Sequence, residues 1–239
     1  MNTSSKLDRD SDPKKVNHFL YRSMIGSLLY LAATRPDISF SVGVYAKYQA
    51  DPREQHILAV KRIIRYVNST LNCGLRYSSE SNSEIAGYTD ADWVGNNDDR
   101  KSTSGGCFYI GTNLVSWCSK KQNCISLSSC EAKYIDTGTC YTQLLWMKQI
   151  LLDYGVNQGT ISIFCDNTNT INISNNPVLH SRTKHIDIRH HFLRELVEQN
   201  VVSLEKVHTD KNLADILTKP LEVPKFSHFR KSIGVCCLD

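Results

Sequence analysis

Residues 85–118 read IAGYTDADWVGNNDDRKSTSGGCFYIGTNLVSWC, and three strands can be drawn from them. Ile85 to Asp92 is a short run with strand-type alternation, ending in acids. Gly106–Ile110 and Leu114–Cys118 flank Gly111-Thr112-Asn113, the composition of a hairpin turn. A long helix is expected next. Ser128 and Glu131 have the spacing of a capping box, and the helix should run to about Tyr154, with Gly155 at the left-handed stop.

Beyond it, Ile161–Cys165 is a short apolar strand followed, after Asp166, by a short helix. A longer helix carries Phe192, Leu193, Leu196 and Val197 on one side. Val201–Val207 reads as a strand, and Leu213–Leu217 as a last helical turn closed by Pro220. Three strands, a helix, a strand, helices, a strand and a helix make an α/β domain with a mixed sheet flanked by helices, over residues 84–221.

Upstream, residues 19–78 have helical periodicity. Leu20, Met24, Leu28, Leu29 and Ala32 form one stripe; Pro36 suits a first helical position; Asp51-Pro52 with Glu54 marks a third start. A small helical unit therefore precedes the sheet. Residues 1–18 are polar and read as a linker, and 222–239 as a tail.

Hydrophobic residues make up 41% of the 239 and charged residues 22%, as in a chain that buries a core. No apolar run approaches the ~20 residues of a membrane span, and no secretory signal opens the chain. The nine cysteines show neither zinc-ligand spacing nor a disulfide framework, so a reducing, intracellular setting is expected. A net charge of +4 leans toward a polyanionic partner.

The acids carry the functional signal. Asp90 ends the first strand, Glu131 lies in the first turn of the long helix, Asp166 ends the fourth strand, and Asp215 sits in the last helical turn. Carboxyl ends of neighbouring strands build the crevice of an open α/β sheet. Four carboxylates gathered there repel unless a cation sits among them, and oxygen ligands favour Mg²⁺ or Mn²⁺. Each has a plainer reading. Glu131 completes a capping box, Asp166 caps the next helix, and Asp92 competes with Asp90 on the same strand face.

The blocks YRSMIGSLLYLAATRPDISFSV (21–42), HILAVKRIIRYVNST (56–70), YTDADWVG (88–95), RKSTSGGCFYIG (100–111), SLSSCEAKYI (126–135), CDNTNTI (165–171), NPVLHSRTKHIDIRHHFLRE (176–195) and NLADILTKPL (212–221) resemble, in order, the C-terminal part of copia-type retrotransposon polyproteins. The first two resemble the helical end of a reverse transcriptase, the rest a ribonuclease H. The resemblance implies a ribonuclease H-like fold with an Asp-Glu-Asp-Asp site at Asp90, Glu131, Asp166 and Asp215. It implies two Mg²⁺ or Mn²⁺ ions, and hydrolysis of the RNA strand of an RNA–DNA hybrid. It also implies the polymerase part of the same polyprotein as partner, no membrane, and a cytoplasmic (virus-like particle) or nuclear location. Lys133 departs from the family, which usually has Glu there, and the polymerase's own Tyr-Val-Asp-Asp motif is absent.

His208, on the loop before Asp215, stands where related enzymes often place a proton-shuttling histidine; the alternative is a surface side chain. Arg182, Lys184, His185 and Arg189 suit phosphate contacts, against a solvated loop. Lys61, Arg62 and Arg65 form a basic helix face, and Trp93, Trp117 and Trp146 read as core residues. A second reading is a catalytically silent or domesticated fragment that only binds nucleic acid. An integrase-like transferase fits poorly, because Glu131 comes second among the acids.

Overall fold

The computed structural model describes residues 16–95, 99–175 and 191–237. Three helices come first: α1 (His18–Ala32), α2 (Pro36–Ala46) and α3 (Glu54–Asn68). A short strand β1 (Cys73–Leu75) leads to β2 (Ile85–Asp92), β3 (Thr103–Ile110) and β4 (Asn113–Lys121), then α4 (Ser129–Asp153) and β5 (Ile161–Cys165). Helices α5 (Thr168–Asn175) and α6 (His191–Glu198) precede β6 (Val202–Lys206). A 3-10 turn (Leu213–Leu217), α7 (Val223–Ser232) and β7 (Val235–Cys237) complete the described chain.

The main sheet has the order β4-β3-β2-β5-β6. β3 runs antiparallel to both of its neighbours, β2 and β4, while β5 runs parallel to β2 and to β6. This is the mixed sheet expected from the sequence, with the hairpin strands longer than the apolar runs that marked them. Alternation divides the core. Phe108 joins Tyr134, Tyr141, Leu144, Ile163 and Leu204 on the α4 face, and its neighbours Cys107 and Tyr109 join Leu217, Phe229 and Val235 on the other. Burying a Leu or Ile side chain contributes about 1.5–3 kcal/mol.

Helix α4 starts where its cap predicts. Ser128 Oγ accepts from the Glu131 N–H at 3.1 Å, and Glu131 Oε2 accepts from the Leu127 N–H at 2.7 Å. It ends with Gly155 at φ 78°. The Gly155 and Val156 N–H groups donate to Leu152 and Leu151 carbonyls, each at 2.8 Å, closing the helix with the left-handed residue that glycine tolerates.

The helical unit departs from its sequence reading in two places. The buried stripe of α1 is Tyr21, Ile25 and Leu28, while Leu20 and Leu29 are exposed. Tyr21 wins the inward position because its hydroxyl donates to the Tyr45 carbonyl at 2.8 Å, so its ring is buried with its polar end satisfied. Helix α3 begins at Glu54, not at Asp51. His56 Nδ1 accepts from the Arg53 N–H at 3.0 Å, whereas Asp51 pairs with the Arg53 guanidinium at 2.7 Å. Arg35 grips buried Asp37 with two hydrogen bonds, 2.9 and 2.8 Å, and reaches the Thr70 carbonyl.

The segment read as a tail is built into the fold. Strand β7 pairs with β1, Cys73 opposite Cys237, and a disulfide joins these two cysteines. The residues lie 164 apart in sequence, so no local spacing revealed the bond. Tyr66 of α3 donates to Asp37 at 2.6 Å and accepts from Arg230 of α7 at 3.2 Å. Trp117 Nε1 donates to the Ala32 carbonyl at 3.1 Å. Trp93 and Trp146 are largely exposed, contrary to the core assignment. No described helix is long and apolar enough to cross a membrane.

Candidate active site

The parallel register pairs Tyr88 with Phe164; two residues further on, Asp90 and Asp166 stand at the neighbouring carboxyl ends of β2 and β5. Asp90 is fully buried, and Asp166 is nearly so. The third aspartate arrives on the 3-10 turn. Asn212 fastens that turn to β2, donating through Nδ2 to the Thr89 carbonyl at 3.0 Å and accepting from the Ala214 N–H at 3.3 Å. Gly105, paired with Asp90 across β3, makes the approach possible. A Cβ there would lie 2.5 Å from Thr218 Cγ2 and 3.1 Å from the Ala214 carbonyl oxygen.

Three ammonium groups enter the same cleft. Lys133 Nζ lies 2.9 Å from Asp90 Oδ1 and also binds Asp166 Oδ1. Lys219 Nζ lies 2.9 Å from Asp215 Oδ1 and 3.5 Å from Asp90 Oδ2. Lys225 Nζ stands 3.4 Å from Asp215 Oδ2. Thr218 donates its hydroxyl to Asp90 Oδ2 at 2.5 Å, and Thr209 donates to Asp166 Oδ2 at 3.1 Å. Asp90 Oδ1 and both carboxylate oxygens of Asp215 are buried, and the groups that meet them are the lysine ammoniums.

Burial alone raises the Asp90 carboxyl, but the ammonium groups of Lys219 and Lys133 and the Thr218 hydroxyl outweigh it, leaving Asp90 below the usual carboxylate range. Burial, followed by the charge of Asp90, pushes Asp215 up to about 6 against the pull of Lys219 and Lys225. Burial works to lower Lys133 and Lys219, yet the facing aspartates hold both above the ordinary lysine value.

The fourth acid of the sequence reading stands elsewhere. Positions 131 and 133 are about 200° apart around a helix, so the two side chains leave on different sides. The side facing the sheet carries Lys133, Asp136, Thr137, Cys140 and Leu144; Glu131 instead binds the Leu127 N–H. Asp136 is fully buried and takes the Thr89 hydroxyl; burial, above all, drives its carboxyl well above the usual range. Asp90 is the β2 acid that Lys133, Lys219 and Thr218 meet, while the Asp92 carboxylate lies against Gly95. His208 is largely exposed, its Nδ1 accepting from the Asp210 N–H at 3.3 Å, and its neighbour Thr209 is the loop residue that meets Asp166. Lys61, Arg62 and Arg65 are exposed along α3. Arg182, Lys184, His185 and Arg189 lie outside the described residues.

Carboxylates from Asp90, Asp166 and Asp215 are the right donors for a hard divalent ion. With Lys133 and Lys219 among them, the set does not fit the two ions that the resemblance implies. Among the described residues no three or more His, Cys, Asp and Glu side chains are arranged to hold a metal ion. Sequence reasoning missed Lys133 as a site residue, and also Thr218, Lys219 and Lys225. The signal was available in part, since Lys133 stands where the resemblance leads one to expect Glu and Thr218-Lys219 sits within the last block quoted.

The mixed five-stranded sheet, with three aspartates at one end, is the ribonuclease H-like arrangement that the sequence leads one to expect. Among solved structures, LC11-RNase H1, isolated from compost by a metagenomic approach, matches 57% of this chain and 93% of its own length. It does so at 15% identity and a TM-score of 0.44; the same protein in complex with an RNA/DNA hybrid gives 0.43. No protein-family model matches the chain. The Retrovirus-related Pol polyprotein from transposon RE1 of Arabidopsis thaliana is 39% identical over 98% of the chain. That from transposon TNT 1-94 of Nicotiana tabacum is 38% identical over 90%. Both are named as Pol polyproteins of copia-type transposons, and the chain is homologous to them over nearly all of its length. It spans 16% of the length of each of these two relatives.

Proposed function

We propose that this chain is the ribonuclease H-type unit of a retrotransposon Pol polyprotein, and that its cleft receives the backbone of an RNA–DNA hybrid. The observation that carries this reading is the meeting of Asp90, Asp166 and Asp215, delivered by β2, β5 and the 3-10 turn. Homology to the copia-type Pol polyproteins supports it, as does the order of the ribonuclease H-like blocks. A hybrid differs from DNA by its 2′-hydroxyls, which such a domain must read in the shallow minor groove.

Two forms of the reading differ in chemistry. In the first, the chain is a hydrolase of the RNA strand, with Mg²⁺ or Mn²⁺ supplying an activated water and charge stabilisation once the lysines have been displaced. In the second, the hybrid is held and left uncut. The place of Lys133 favours the second.

Fluorescence anisotropy with a labelled hybrid, a DNA duplex and an RNA duplex, in EDTA, tests the shared part. Hybrid binding that weakens with salt and exceeds DNA binding is the expected result. Equal, weak binding of all three would refute it. A gel assay of the same hybrid in Mg²⁺, Mn²⁺ and EDTA, beside Asp166→Asn, separates the two forms.

A further inference from the structure

Lys133 emerges from the sheet-facing side of α4, one turn before fully buried Asp136, and only 13% of its side chain is exposed. Its ammonium touches one oxygen of Asp90 and one of Asp166. That is the position from which a bridging cation would neutralise two carboxylates at adjacent strand ends. Lys219 does the same for Asp90 and Asp215, and Lys225 adds a second contact to Asp215. Three carboxylates thus face three ammonium groups.

A divalent ion binds such a cleft through surplus negative charge and through free oxygen lone pairs. Here the surplus is cancelled by side chains that are covalently part of the fold. An incoming ion must first expel a nearly buried ammonium from two ionic contacts. A polyanion meets the reverse situation, since a neutralised cleft no longer repels its phosphates.

We propose that Lys133 is a tethered counter-ion that occupies the bridging position between Asp90 and Asp166 and closes the cleft to divalent cations. Residue 133, not 131, is then the position through which α4 sets the charge of the site. The inference rests on the reading of this cleft as a nucleic-acid site and narrows it to metal-independent holding of the hybrid.

The test uses the full 239-residue chain with Mn²⁺ alone as probe, followed by electron paramagnetic resonance of free Mn²⁺ and by thermal melts in Mn²⁺ and in EDTA. Wild type is expected to bind no Mn²⁺ saturably and to melt at one temperature in both. Lys133→Glu changes the local charge by two units and should bind Mn²⁺ at least roughly tenfold more tightly than wild type. Its melting temperature should rise by several degrees on adding the ion. Lys133→Gln, which keeps the size and drops the charge, should fall between the two, and it serves if Lys133→Glu does not fold in EDTA. Saturable Mn²⁺ binding by wild type, abolished in Asp166→Asn, would overturn the proposal, as would equal affinities in all three proteins. Hybrid binding in EDTA is read separately. Its loss with the Mn²⁺ results as expected sinks only the nucleic-acid reading, and its retention with Mn²⁺ bound by wild type sinks only the role of Lys133.

Discussion

Replacing Lys133 by Met keeps most of the aliphatic stem and removes one cation from between two buried carboxylates. At 2.9 Å and an effective dielectric of about 20, the attraction to Asp90 alone is about 6 kcal/mol. Relief from desolving the ammonium offsets part of this, because only 13% of the Lys133 side chain is exposed. Asp90 also keeps the Thr218 hydroxyl and the more distant Lys219. Removing one partner of a buried pair typically costs about 3–5 kcal/mol; the remaining partners bring the expectation to about 2–4 kcal/mol. For a chain of this size that lowers Tm by roughly 5–12 °C. Melts of wild type, Lys133→Met, Asp90→Asn and the double variant in EDTA measure it. The double variant should lose less than the sum, because one of the two carboxylates that Lys133 pairs is then neutral. A Lys133→Met protein melting within about 1 °C of wild type, or strict additivity, would refute the reasoning.

Gly105→Val should drive the 3-10 turn from β3, since even a Cβ meets Thr218 and the Ala214 carbonyl; a loss of about 1–3 kcal/mol is expected in urea unfolding. Asp136 has a folded-state pKa raised by burial, so it keeps its proton in the folded state while the unfolded chain releases one above about pH 4. Stability should therefore fall as pH rises from there, and Asp136→Asn should flatten that slope and match or exceed wild type at pH 8. The Cys73–Cys237 disulfide closes a loop of 164 residues, whose chain entropy sets a ceiling of about 5 kcal/mol. Dithiothreitol should lower the Tm of wild type and leave Cys73→Ser unchanged.

Much of the architecture was legible before any coordinates. The ends of α4 were marked by Ser128 and Gly155, whose chemistry is local. Strands β2 and β5 were marked by short apolar runs ending in an acid. Where the sequence reading slipped, a long-range contact had decided. Tyr21 displaced Leu20 and Leu29 from the buried face of α1 through its bond to Tyr45. His56 capped α3 in place of Asp51. The tail became α7 and β7 because β1 offered it a strand edge and Cys73 a sulfur.

The site divides along the same line. The sequence alone determined that aspartates stand at the ends of β2 and β5 and in the last turn, because position along a strand or turn is a property of neighbouring residues. It also carried the resemblance to copia-type polyproteins, through the order of the blocks. Which residue of α4 reaches the cleft was misread as Glu131, since a capping residue and a site residue share one spacing rule. The rotation of α4 against the sheet decided it, turning Lys133 toward Asp90 and Asp166 and leaving Glu131 to the backbone of Leu127. The charge state of the cleft, too, belongs to the tertiary structure alone. Lys133, Lys219 and Lys225 come from separate parts of the chain, and the field that each aspartate feels depends on distances that only the packed sheet, helix and turn supply.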